Sequence, residues 1–217
     1  MRWDEAAITA IQTLTPKEPG DKVESADDQL RQMVKVSTWT PGLTLLYFHT
    51  PHEALEKSKL VGAAAATLRQ CGTFHDEDVA KWLLLFHCVE VDMGASDAKT
   101  AERVGCKDGA LFAIVDQDLN VIATSKPIVT SEGVVSFLKK TIQSEACAKH
   151  WAVVQTQIDD QKKALEKARA LMTKEKFKEA LEQYRLVLDS KVRIADCWDD
   201  AAKEVMKAAR KAEQIDK

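Results

Sequence analysis

The chain has 217 residues and a mass of 24.1 kDa, enough for one ordinary domain with a buried core and a smaller second module. With 45% hydrophobic and 30% charged residues, a formal charge of -3 and a pI near 6.0, it lacks the basic excess that nucleic acid or an anionic membrane would require. It shows no signal-peptide pattern, and its longest apolar run is far shorter than the roughly 20 residues of a membrane span, so a soluble cytoplasmic protein is expected.

The first 24 residues are predicted to form an N-terminal arm. The pattern around Trp3 to Leu14 is helical, and Pro16 and the Pro19-Gly20 pair end it. Ser25, followed three residues later by Asp28 and then by spaced apolar residues, predicts an N-capped amphipathic helix. This helix is expected to lead into the main domain, residues 25–147.

A buried strand is predicted over Leu43 to Phe48, a compact apolar run that follows Pro41-Gly42. A helix is expected directly after it. Thr50 suits the N-cap, Pro51 suits the first helical position, and Glu53 completes a capping box.

Further strands follow in chain order. The later half of the run from Trp82 to Asp92 predicts a second buried strand, and Leu111 to Val115 a third. Asp116 to Asn120 carries turn residues and Val121 to Ala123 returns as a fourth strand, so the last two strands are expected to form a hairpin. Ser131 then opens an amphipathic helix.

From Gln155 onward the sequence contains no glycine or proline and is rich in Ala, Lys, Glu and Leu. This change predicts a domain boundary near residue 148 and a helical tail, residues 148–217. The tail is expected to break between Thr173 and Lys176, and Cys197 to Ile215 predicts one further amphipathic helix.

The cysteines are dispersed, with no C-x-x-C pair and no spacing that suits zinc, so reduced thiols are expected. Cys88 lies in an apolar strand pattern, which is more typical of a small buried hydrophobe than of a reagent. Cys71 precedes a loop and Cys106 lies within one, and both remain candidates for a reactive thiol. The five are Cys71, Cys88, Cys106, Cys147 and Cys197.

The order strand, helix, strand, short helix, strand, strand, helix across residues 36–145 resembles that of a thioredoxin fold. The segment VEVDMGASDAKTAERVGCKDGALFAIVDQDLNVIA, followed by SEGVVSFLKKTI, is similar to the C-terminal two-thirds of such a domain. LTLLYFHTPHEALEK resembles its strand and active-site helix, with Phe48 as the aromatic residue that ends the strand. The resemblance covers about half the chain and implies an α/β fold, a central mixed sheet flanked by helices, with an all-α C-terminal extension.

Two departures from the family pattern bear on function. Glu53-Ala54-Leu55-Glu56 stands where the family has C-x-x-C, so both the activated thiolate and the resolving thiol of disulfide exchange are missing. Ala110, after Gly109, stands where the family has a cis-proline that holds the substrate chain. A cis bond before alanine would cost about 2.5 to 4 kcal/mol, so a trans peptide and an altered groove are expected.

The resemblance therefore implies a redox-inactive, non-enzymatic interaction or scaffolding module that needs no cofactor and binds another protein or peptide. The alternative is a single-cysteine thiol oxidoreductase or transferase of the same superfamily, with Cys106 as its nucleophile. A metal site at His49, His52, Glu53 and Glu56 is a third reading, but these carboxylates suit a helix cap better and no metal is expected. The groove residues are Thr50, Pro51, His52, Glu53, Glu56, Gly109 and Ala110.

The tail resembles a tetratricopeptide unit. Fewer than three such repeats seldom stand alone, so the hairpin is expected to dock either on the thioredoxin-like domain or on a second subunit, the latter giving a homodimer through the C-terminal helices. The positions that match the repeat's packing residues are Ala168, Leu171, Phe177, Ala180, Tyr184 and Leu188.

Overall fold

The computed structural model describes residues 12–14, 42–49, 73–92, 111–126, 128 and 130–215. The chain divides into two compact units, residues 1–150 and 151–217. The first contains a mixed sheet with helices and the second is helical, so the expected mixed α/β class is confirmed.

In the described part of the chain the sheet has five strands in the order β1-β3-β2-β4-β5. The first three of this order are parallel to one another, whereas β4 runs antiparallel to β2 and β5 antiparallel to β4. The strands are β1 (Gln12–Leu14), β2 (Thr44–His49), β3 (His87–Asp92), β4 (Leu111–Val115) and β5 (Val121–Ser125).

Strand β1 corrects the sequence prediction at the N-terminus. The predicted helix around Trp3 to Leu14 is wrong for its last three residues, because Gln12–Leu14 pairs in parallel with Val89 to Val91 of β3. Pairing with a distant strand overrides a weak local helical preference. These three residues of the predicted arm therefore belong to the sheet.

Strand β2 is confirmed and lies at the centre of the sheet, with Leu46 and Phe48 fully buried. Gly42 precedes it with a φ of +66°, which a glycine adopts without strain. A Cβ at this position would also overlap the side chain of Gln117. The positive φ and this overlap both favour glycine at position 42.

The predicted hairpin of β4 and β5 is confirmed, and Asp116 builds its turn. Its Oδ1 accepts hydrogen bonds from the backbone N–H groups of Asp118 (2.9 Å) and Asn120 (2.8 Å). Leu119 adopts a φ of +62° although it carries a side chain, and that side chain is only 3% exposed. Burial of the leucine therefore offsets the cost of its left-handed backbone.

Helices also belong to the described part of the first unit. Helix α1 (Glu77–Leu83) was not predicted and occupies the residues just before β3; it begins at Asp76, whose carboxylate accepts from the N–H groups of Asp78 and Val79. Helix α2 (Ser131–Ile142) was predicted, and the Thr130 hydroxyl caps it by accepting from the Gly133 N–H.

The tail contains helices α3 (Ala148–Thr173), α4 (Phe177–Leu188) and α5 (Asp196–Ile215). The predicted break between Thr173 and Lys176 and the predicted last helix are both confirmed. In the second unit the three helices share one core, whose buried members are Leu165, Ala168, Ala180, Tyr184, Val187, Cys197, Ala201 and Ala208.

Leu119→Gly tests the turn. The substitution relieves about 1 kcal/mol of backbone strain but removes a buried side chain worth about 1.5 to 3 kcal/mol, and a cavity adds to that loss. We expect a net decrease of about 1 to 3 kcal/mol in the free energy of unfolding, measured by urea titration. Asp118→Ala, in the exposed part of the same turn, should change it by less than about 0.5 kcal/mol. A Leu119→Gly protein as stable as the wild type would contradict this account.

Candidate functional site

The candidate site lies at one edge of the sheet, where β2 ends and β4 begins. His49 and Asp92, the last residues of β2 and β3, are register partners, and Phe48 pairs with Leu111, the first residue of β4. In the sequence, Thr50 follows β2 directly and Ala110 precedes β4 directly. The two chain segments that carry the sequence-predicted groove are therefore attached to the sheet at the same edge.

The sequence-predicted site residues themselves lie outside the described part of the chain. They include both halves of the predicted groove, the thiol of the single-cysteine alternative and the second cysteine that was a candidate for a reactive thiol. They are Thr50, Pro51, His52, Glu53, Glu56, Gly109 and Ala110, together with Cys106 and Cys71.

Within the described ranges, no three His, Cys, Asp or Glu side chains come close enough together to hold a metal ion. His49 belongs to these ranges through its backbone, as the final residue of β2. Of the helices in the described residues, none combines the length and apolar character needed to cross a bilayer.

The described cysteines are thiols whose pKa values are raised by burial. Burial raises the pKa of Cys88 to about 12, and its Sγ donates to the carbonyl oxygen of Leu83 at 3.6 Å. Burial also raises the pKa values of Cys147 and Cys197. Disulfide exchange proceeds through a thiolate, so these three thiols are poor nucleophiles near neutral pH.

A buried polar network in the tail was missed by the sequence analysis, and Gln161 is its centre. Its side chain is 3% exposed, and its Nε2 donates to the Oγ of Ser190 and to the carbonyl oxygen of Val192, both at 2.7 Å. Its Oε1 accepts from the Sγ of Cys197 at 3.2 Å. The network ties α3 to the loop before α5 and to α5 itself.

The sequence contains a pattern that indicates the burial of Gln161. This residue precedes Leu165 by four positions and Ala168 by seven, so it lies on the apolar face of α3. A polar residue at such a position must find partners when it is buried.

A charged cluster links the three tail helices nearer the surface. Arg169 of α3 donates to the carboxylates of Asp200 (2.9 Å) and Glu204 (2.6 Å) on α5, and the Tyr184 hydroxyl of α4 donates to Glu204 at 2.9 Å. The bond from Arg169 lowers the pKa of Glu204. Burial, and then the bond to Glu204, raises the pKa of Tyr184 to about 12. Sequence spacing does not predict this cluster, because its members come from three helices.

His150, near the start of α3, is a buried titratable group of the first unit. It is 2% exposed, its Nε2 donates to the carbonyl oxygen of Leu85 at 3.1 Å, and its ring stacks with Phe86 at 6.4 Å between centroids. Burial lowers its pKa below the ordinary 6.5, although the bond to Leu85 opposes the shift. His150 thus contributes to packing as a neutral imidazole.

No protein-family model matches the chain, and no curated protein is significantly similar to it. The functional argument therefore depends on this chain's own residues and geometry.

The pH dependence of unfolding tests His150. Because its folded-state pKa is lowered, the unfolded state binds a proton more readily, so stability is lost as the pH falls below about 6.5 towards the folded-state pKa. The loss attributable to this group approaches at most about 1.4 kcal/mol per pH unit. Urea unfolding of the wild type and of His150→Gln between pH 8 and pH 5 should show a smaller acid-induced loss in the variant.

His75→Gln, at an exposed histidine, is the matched control for replacing an imidazole by an amide at the surface. If the profile of His150→Gln matched that of the wild type, the neutral buried state of His150 would be refuted.

Glu204→Ala tests the charged cluster. It removes one of the two carboxylate partners of Arg169 and the carboxylate that accepts from the Tyr184 hydroxyl. Because the cluster is partly exposed, we expect a loss of only about 1 to 2 kcal/mol in the free energy of unfolding. The control is Glu179→Ala, which removes an exposed pair with Lys176 within a single helical segment and should cost less than about 0.5 kcal/mol. Equal losses in the two variants would show that linking the three helices adds no stability.

Proposed function

We propose that this chain is a redox-inactive thioredoxin-like protein that binds another protein or peptide, with the helical tail as a second contact surface. The observation that carries the proposal is the sheet edge where β2 ends and β4 begins, from which both segments of the predicted groove continue. The described order β2, α1, β3, β4, β5, α2, with a terminal antiparallel hairpin, supports the thioredoxin-like assignment.

The chemistry of the groove favours binding over electron transfer. After β2 the sequence supplies carboxylates at Glu53 and Glu56 where disulfide exchange needs two sulfurs. A carboxylate near a helix N-terminus is stabilised by the helix dipole, but it cannot form a mixed disulfide. The three thiols of the described residues do not compensate, since burial holds them in the protonated form.

The proposed ligand is an extended protein segment that lies across the groove from the Thr50 side to the Ala110 side. Replacing the family's proline by alanine leaves a backbone N–H at position 110, which is one more donor for such a segment. The proposal calls for no cofactor and places the protein in the cytoplasm.

A tetratricopeptide-like tail is part of the proposal. In support of it, α3 and α4 are joined by only three residues, Lys174 to Lys176, and the small residues Ala168 and Ala180 are fully buried in the shared core. Tyr184 fills the same core from α4. The proposal includes a homodimer in which the tail helices of two copies contact each other.

Insulin reduction in the presence of dithiothreitol tests the redox claim. The wild type should not increase the rate above that of dithiothreitol alone, because it lacks the dithiol. The double variant Glu53→Cys, Glu56→Cys installs a C-x-x-C pair at the positions that match the family's motif and should raise the rate at least tenfold if the scaffold is thioredoxin-like.

Turnover by the wild type that disappears in Cys106→Ser would refute the redox-inactive proposal and establish the single-cysteine alternative. Turnover that survives in Cys106→Ser but disappears in Cys71→Ser would refute it equally. If the double variant forms its disulfide yet gains no activity, the thioredoxin-like assignment fails.

Quantitative affinity capture from the native cell tests the binding claim. Ala110→Trp fills the proposed groove, and we expect it to lower the amount of a specific captured protein at least tenfold, equivalent to about 1.4 kcal/mol of binding free energy. Lys163→Ala, at an exposed position of α3, is the matched control and should capture as much as the wild type. Equal capture by the Ala110→Trp and wild-type proteins would exclude the groove as the contact surface.

A further inference from the structure

We draw no further inference here: the strongest candidate, the apolar stripe of Ala202, Met206 and Ala209 along the last tail helix, where Met206 is 59% exposed, has nothing in the structure to show what covers it.

Discussion

The hydrogen-bonded pairing of β2 with a parallel strand on one side and an antiparallel strand on the other is the constraint on which the candidate site depends. Side chains alternate between the two faces of a strand, and both faces of β2 are buried, with Leu45 and Tyr47 on one face and Leu46 and Phe48 on the other. The pairing on both sides therefore holds β2 inside the core. It also determines where the chain leaves β2 at His49 and where it enters β4 at Leu111.

The sequence predicted those elements whose signals are local. Strands β2 and β4 are short apolar runs bounded by turn residues, and the tail break at Thr173 separates two amphipathic stripes. Strand β1 was missed because its stability comes from pairing with β3, 77 residues further along the chain, and not from its own composition. Helix α1 was missed because its last residues, Trp82 and Leu83, begin the apolar run that continues into β3, although Asp76 supplies an N-cap.

The polar clusters of the tail show why side-chain interactions were harder to predict than helices. Glu204 and Arg169 lie 35 residues apart, and neither has a sequence context that distinguishes it from a solvated helix face. Gln161 could have been recognised by its position on an apolar stripe, but its partners Ser190 and Val192 could not. The groove is different again: its residues were chosen by resemblance, and the described sheet fixes only the strand ends to which they are attached.

The burial of the described thiols has a practical consequence for following the protein's motions. A thiol that cannot be alkylated in the native state becomes reactive only when its surroundings open, so its modification rate measures the free energy of that opening when reclosing is fast. Cys147 reports on the first unit and Cys197 on the second, because each of these two sulfurs is buried in its own unit. Without any introduced label, the chain thus carries probes that can tell whether its two units fluctuate together or independently.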